Sequence, residues 1–338
     1  MKKRGKKSKI IRIILILFIL LIIGLIINNR ISYARYKNNN NSLDYLTEKE
    51  LDDIKNIYTY LEQHGSENIS GFDGKNIDLL LYNEKYDFLC SSRKITGQWE
   101  YIYKIEALDR SIYRRPQKDK KAFAVKIEGE WVGSFATHDY YNQSILEQIP
   151  VLLPPQFFTM DDDYYRAVVI HEMAHAFQGK QDDKRLIATE NYHDISNQFV
   201  NNEAFKTGIN EESKYLSLAI EETDLKNKQK DIEKFLEARD KRRAECGYEL
   251  QDIEKESQFE WLEGCGRYME YEASRDSNSM IAKGLGDIKA KCKVSGDDLF
   301  YTLGMAQYII MNQMGNDWEK EVFEKGMTPE EYLRKLEK

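Results

Sequence analysis

The chain opens with its longest apolar run. Residues 10–27 are apolar except for Arg12 and Gly24, behind a head carrying Lys2, Lys3, Arg4, Lys6, Lys7 and Lys9. A helix of this length is near the ~20 residues needed to cross a hydrocarbon core, and Arg12 can reach back toward the basic flank. The basic flank predicts that the head stays in the cytoplasm and that the rest is exported. We therefore expect a cytoplasmic head at residues 1–9, a single transmembrane anchor at 10–29 and a polar linker at 30–42, where four consecutive asparagines have nothing to bury. The competing reading is a cleaved signal peptide with Ser32-Tyr33-Ala34 as its cleavage signal, for which the apolar run is long.

Beyond the linker the pattern changes twice. Leu46, Leu51, Ile54, Ile57, Tyr58 and Leu61 form one helical stripe within residues 43–63. Residues 78–82, 86–91, 97–107, 122–128 and 131–137 are short, often alternating, and rich in β-branched and aromatic residues, which predicts an antiparallel sheet with a turn at Glu128-Gly129-Glu130. Residues 149–158 are apolar but hold three prolines, so they suit an edge strand or an extended wall. Helical patterns follow. One covers 162–178, with capping acids before it and Gly179 as its stop. A polar stretch at 180–208 reads as loop. Residues 211–245 lack glycine and proline and suggest one or two amphipathic helices, or a helical hairpin, whose charge reads as a solvated face. Further helices are expected at 250–274, 299–314 and 329–337, with a junction at 277–295. The fold class is thus α+β, an antiparallel-rich sheet followed by helices, in one unit spanning 43–338 with a helical insertion at about 185–248.

Charge sharpens this picture. The chain has a net charge of −7, yet residues 1–30 hold eight basic residues and no acid, so the body is strongly acidic. That argues against nucleic acid as a partner. Cys90, Cys246, Cys265 and Cys292 form no C-x-x-C pair, which argues against a cysteine zinc site.

The chemistry concentrates in residues 167–179, AVVIHEMAHAFQG. His171 and His175 lie one helical turn apart and present both imidazoles to one point, while Glu172 can reach a water held there. This H-E-x-x-H spacing is that of zinc metallopeptidases; the plainer reading is a pair of buried core histidines. A catalytic zinc needs a third protein ligand and an open position. Asp182, His193 and His138 are outside candidates. Glu263, in WLEGCGRY, is the better one, with Glu260, Glu270 and Glu272 as neighbours on the same helix.

HEMAH, followed by Trp261-Leu262-Glu263-Gly264 and then Tyr301-Thr302-Leu303-Gly304, resembles the gluzincin metallopeptidases, especially the M1 aminopeptidase-like branch. The resemblance covers residues 149–315. It implies a zincin-like fold, Zn2+ held by His171, His175 and Glu263, Glu172 as general base, and Tyr301 as donor to the oxyanion, with Tyr268 as the spare tyrosine. Two features depart from the pattern. One residue fewer separates the leucine from Glu263, and residues 176–262 form a far longer connection than the aminopeptidases have. The G-x-M-E-N segment that grips a free amino terminus is also missing, which favours an endopeptidase. The expectation is a membrane-anchored zinc peptidase with an extracytoplasmic catalytic domain, a peptide or protein substrate and a bilayer partner through residues 10–29. The alternative is a catalytically inactive, membrane-tethered interaction module that keeps the fold and uses residues 211–245 as its partner surface.

Overall fold

The computed structural model describes residues 2–39, 43–118, 120–148, 158–192, 195–196, 199, 201–275, 277–293, 296–315 and 317–336. Most of residues 149–158, and His193, lie outside them.

Helix α1 (Lys2–Asn39) contains the apolar stretch Ile11–Ile31, which is long and apolar enough to cross a membrane. The helix runs on through residues 32–39, most of the stretch expected as a polar linker. Residues 28–39 contain neither glycine nor proline, and a helix nucleated in the apolar run propagates through them. Helix α2 (Glu48–Tyr60) starts at a capping box in which Thr47 and Glu50 satisfy each other's backbone N–H groups. A π-helical turn at Leu61–Gly65 and the one-turn α3 (Ser66–Asn68) close it.

The sheet comprises β1 (Asp78–Tyr82), β2 (Tyr86–Ser91), β3 (Glu100–Ile105), β4 (Arg110–Pro116), β5 (Phe123–Ile127) and β6 (Glu130–Ala136), in the order β3-β4-β2-β1-β6-β5. It is mixed, not purely antiparallel, because β1 and β6 run parallel, with Leu80 opposite Ser134. Strand β4 breaks the apolar pattern because its arginines are paired across the sheet. Arg110 is buried against Asp78, Arg114 meets Glu100, and Arg115 meets Asp87. Leu79 and Leu81 face the helices, while Leu80 joins Leu89, Trp99, Tyr113 and Val132 in a smaller cluster on the other face. Glu128 and Gly129, both at positive φ, make the tight β5–β6 turn.

Helix α4 (His138–Gln148) follows the sheet where no apolar stripe announced a helix. Helix α5 (Asp162–Gln181) is capped by Asp161, whose side chain accepts from the Tyr164 N–H. It passes through Gly179 instead of stopping there. A Cβ at that glycine would lie 2.6–2.8 Å from Leu186 and Trp131, so close packing is the reason for its small size. Helix α6 (Asp183–Thr189) then begins in the stretch read as loop. Helices α7 (Glu203–Glu221) and α8 (Leu225–Cys246) form a hairpin, and Gly247, at φ +69°, stops α8. After α9 (Leu250–Ala273) come the short α10 (Met280–Lys283) and α11 (Ile288–Lys291), then α12 (Asp298–Met314) and α13 (Pro329–Leu336).

The hairpin overturns the expected solvated face. Arg239 is fully buried and binds Glu212, Glu260 and Glu330. Arg242 reaches Glu212 and Glu256, and Arg243 reaches Glu256 and Glu330. The charged positions of α8 thus tie α7, α9 and α13 together inside the protein. Breaking a buried pair of this kind costs on the order of 3–5 kcal/mol, because the remaining charge stays dry and unpaired.

Candidate metal centre and cleft

Helix α5 lies on the sheet at Gly133 of β6, where a Cβ would sit 2.8 Å from Met173. This close seat presents His171, Glu172 and His175 on the far side of the helix, all buried. The His175 ring packs on Phe123 of β5, with centroids 4.6 Å apart.

Helix α9 crosses α5 through two glycines. A side chain on Gly266 would lie 2.6 Å from His171 Nε2, and one on Gly264 would lie 2.6 Å from the Gly304 backbone of α12. The absence of both side chains draws three helices together. Glu263, next to Gly264, brings Oε2 to 3.4 Å from His171 Nε2 and to 3.4 Å from His175 Nε2. Tyr301, one turn before Gly304, stacks beside His171 at 6.3 Å with 29° between the rings and directs its hydroxyl toward Glu263. The structure therefore brings His171, Glu172, His175, Glu263 and Tyr301 around one point.

Each imidazole is held from behind. His171 Nδ1 meets Glu270 Oε2 at 3.0 Å, and His175 Nδ1 meets Gln178 Oε1 at 3.0 Å. Gln178 Nε2 donates to the Trp261 carbonyl, which leaves its oxygen to accept from His175. Nδ1 of His175 thus carries a proton, and its Nε2 is the nitrogen that faces Glu263. Partners of this kind fix the tautomer and ring orientation of metal-ligating histidines. Glu270 also accepts from the Tyr164 hydroxyl at 3.1 Å and from Arg267 at 3.3 Å. Arg267 in turn lies over the Tyr301 ring.

The other candidates have different employment. Glu260 belongs to the Arg239 network, and Glu272 pairs with Arg275. Asp182 caps α6. Tyr268 is buried and stacks on Tyr308, away from the imidazoles. His138, expected at the surface, is 2 % exposed and stacks flat on Tyr165. Its Nδ1 lies in a second cluster with Asp53 and Asp162, where Lys49 Nζ sits 2.7 Å from both His138 and Asp162. That cluster already holds its cation. Sequence reasoning missed Gln178, Tyr164 and Arg267. Gln178 and Arg267 lie three and four residues beyond His175 and Glu263, on the same helix faces, so helical spacing was the available signal.

The electrostatics describe a site in need of positive charge. Burial disfavours a charged His171, yet its hydrogen bonds to Glu263 and Glu270 outweigh it and hold the imidazole at about 10. Burial raises the Glu172 carboxyl to about 7 against the pull of both histidines. Burial also opposes ionisation of Glu263, but the two histidines prevail and push it well below the usual carboxylate range. In the protein alone, protons on imidazole supply the charge that three buried carboxylates demand. Two nitrogens and a carboxylate oxygen facing one point form a donor set that suits a divalent ion such as zinc.

The cleft over these residues has a volume of about 270 Å³, with Phe123, Phe135, Tyr141 and Met160 as its apolar walls. Strand β5 is an edge of the sheet among the described strands and borders the cleft through Phe123, with Ala122 just before it. Comparison of the chain with protein-family models, with curated proteins and with solved structures yields no match.

Proposed function

We propose that this cleft is the active site of a zinc-dependent hydrolase of gluzincin type that cleaves peptide bonds, and that α1 anchors it in a membrane with the body outside the cytoplasm. The observation that carries this reading is the convergence of two Nε2 atoms and one carboxylate oxygen, each imidazole fixed through its opposite nitrogen. His171, His175 and Glu263 would hold the ion. Zinc at such a site lowers the pKa of a bound water and polarises a carbonyl.

The remaining chemistry belongs to the chain. Glu172 is buried beside the two histidines and, at about 7, changes protonation near neutral pH. It is suited to take a proton from the attacking water and deliver it to the leaving amine. Burial and Glu263 raise the Tyr301 phenol, so it stays a neutral donor for the developing oxyanion. Glu270 and Gln178 keep the imidazoles aimed. The edge of β5, outermost among the described strands, offers backbone groups to an extended polypeptide by strand addition, a mode suited to an endopeptidase.

The alternative, an inactive interaction module using the hairpin charge as its partner face, loses its main support, since Arg239, Arg242 and Arg243 point inward. The test compares Glu172→Gln with wild type for metal content and peptide hydrolysis. Unchanged zinc with hydrolysis reduced by about 10²–10⁴-fold is expected. Undiminished hydrolysis in the variant would refute the assignment of Glu172.

A further inference from the structure

The two ends of the apolar stretch in α1 meet different surroundings. Residues 11–20 are exposed on every side. Further along, Ile22, Leu25 and Ile26 are partly covered and Asn29 is buried, while the residues between them stay exposed. These positions share one helix face, and α4 is packed against α1. The covered face rises about 10 Å, at 1.5 Å per residue, and occupies the outer third of Ile11–Ile31.

Helix α4 also borders the cleft: Tyr141 stacks on Phe135 at 5.4 Å and forms part of the cleft wall. The same helix thus touches both α1 and the wall of the cleft that holds the candidate catalytic residues. The composition of α4, HDYYNQSILEQ, suits a headgroup layer and not hydrocarbon. Tyrosines concentrate at membrane–water interfaces, and α4 carries Tyr140, whose hydroxyl accepts from exposed Lys120 at 2.5 Å.

We propose that the body rests on the bilayer with α4 at headgroup level, and that the cleft acts on polypeptide emerging from that same bilayer. The substrate class is the extracytoplasmic juxtamembrane stretch of a membrane-anchored polypeptide, laid extended along β5. This inference rests on the peptidase reading of the cleft and on α1 as a membrane span.

The test uses the full chain in vesicles, with Cys246→Ser removing the one cysteine that is not buried. A fluorophore on Gln148→Cys, at the exposed end of α4, is read against nitroxide-headgroup lipid. The reference is the same label on Leu250→Cys, about 30 Å along α9 from Glu270. Severalfold stronger quenching at residue 148 is expected, and equal quenching at the two positions overturns the proposal. In parallel, a single-span substrate carries one cleavable segment in three copies, about 5, 20 and 40 residues from the membrane, the last beyond reach of a cleft held at the surface when the chain is extended. Cutting confined to the nearest copy supports the proposal, and equal cutting of all three overturns it. Strong quenching with no cutting anywhere supports the docked geometry and overturns the peptidase reading instead.

Discussion

Glu260 and Glu263 lie three residues apart on α9, yet they serve buried clusters of opposite character. Glu260 faces the α7–α8 hairpin, where Arg239, Arg242 and Arg243 meet Glu212, Glu256, Glu260 and Glu330 in a network of mutual hydrogen bonds. Glu263 faces α5, where Glu172, Glu263 and Glu270 have Arg267 and two imidazoles for company. The hairpin cluster is closed, because its cations are permanent and forked into its carboxylates. The α5 cluster is open, because beside Arg267 its positive charge comes from imidazole protons that a metal can replace. The same acidic helix thus contributes to the framework on one face and to the proposed chemistry on the other.

This contrast breaks most visibly at Arg239. Arg239→Ala should destabilise the protein by about 3–5 kcal/mol in denaturant unfolding, since it leaves buried Glu260 without a cation and takes one arginine from Glu212 and Glu330. A loss under about 1 kcal/mol, the worth of an exposed pair, would mean that the network is not closed.

The open cluster should respond through metal affinity and not through folding. Glu270→Gln and Gln178→Leu remove the groups behind His171 and His175. Each should weaken zinc binding about 10–100-fold, measured by chelator competition. Affinity unchanged in both would separate these residues from the site.

A smaller effect distinguishes the clusters by pH. His171 in the metal-free fold stands at about 10, above its ordinary 6.5, so its stabilising contribution is complete below about 6.5 and is lost as pH rises to 10. Glu172, raised from 4.5 to about 7, acts in the same sense: the fold favours its neutral form, and that contribution fades between those values. Thermal unfolding of the metal-free protein should therefore shift downward from about pH 5 to 10, and zinc should stabilise most at the upper end. Glu256 and Glu330 are pulled down by their arginines, so their contribution is lost only in acid, whereas burial raises Glu260 to about 7 and its contribution fades between 4.5 and 7. A flat profile between pH 6.5 and 10 without metal would contradict the description of the open cluster.

What could be read from the sequence divides along the same line. The helix bearing HEMAH was legible because its spacing is local, and Glu263 and Tyr301 followed from short motifs in order. The motif already favoured Glu263 over Glu260 and Glu270; what separates their surroundings is the rotation of α9, which Gly264 and Gly266 set through contacts with distant helices. Strand β4 was hidden because its arginines hide an alternation that pairing makes possible. Helix α4 lacks an apolar stripe because the sheet, α5 and α1 surround it. The hairpin charges looked solvated because Glu256 and Glu330, which bury them, lie on α9 and α13. Charge along a helix reads the same whether water or a distant carboxylate is its partner.

The most direct test of the open cluster is the metal content of the purified full chain beside Glu263→Ala. The account predicts one zinc per wild-type chain, lost or strongly weakened in the variant while the fold persists. A wild-type protein that takes up no zinc under these conditions would contradict it.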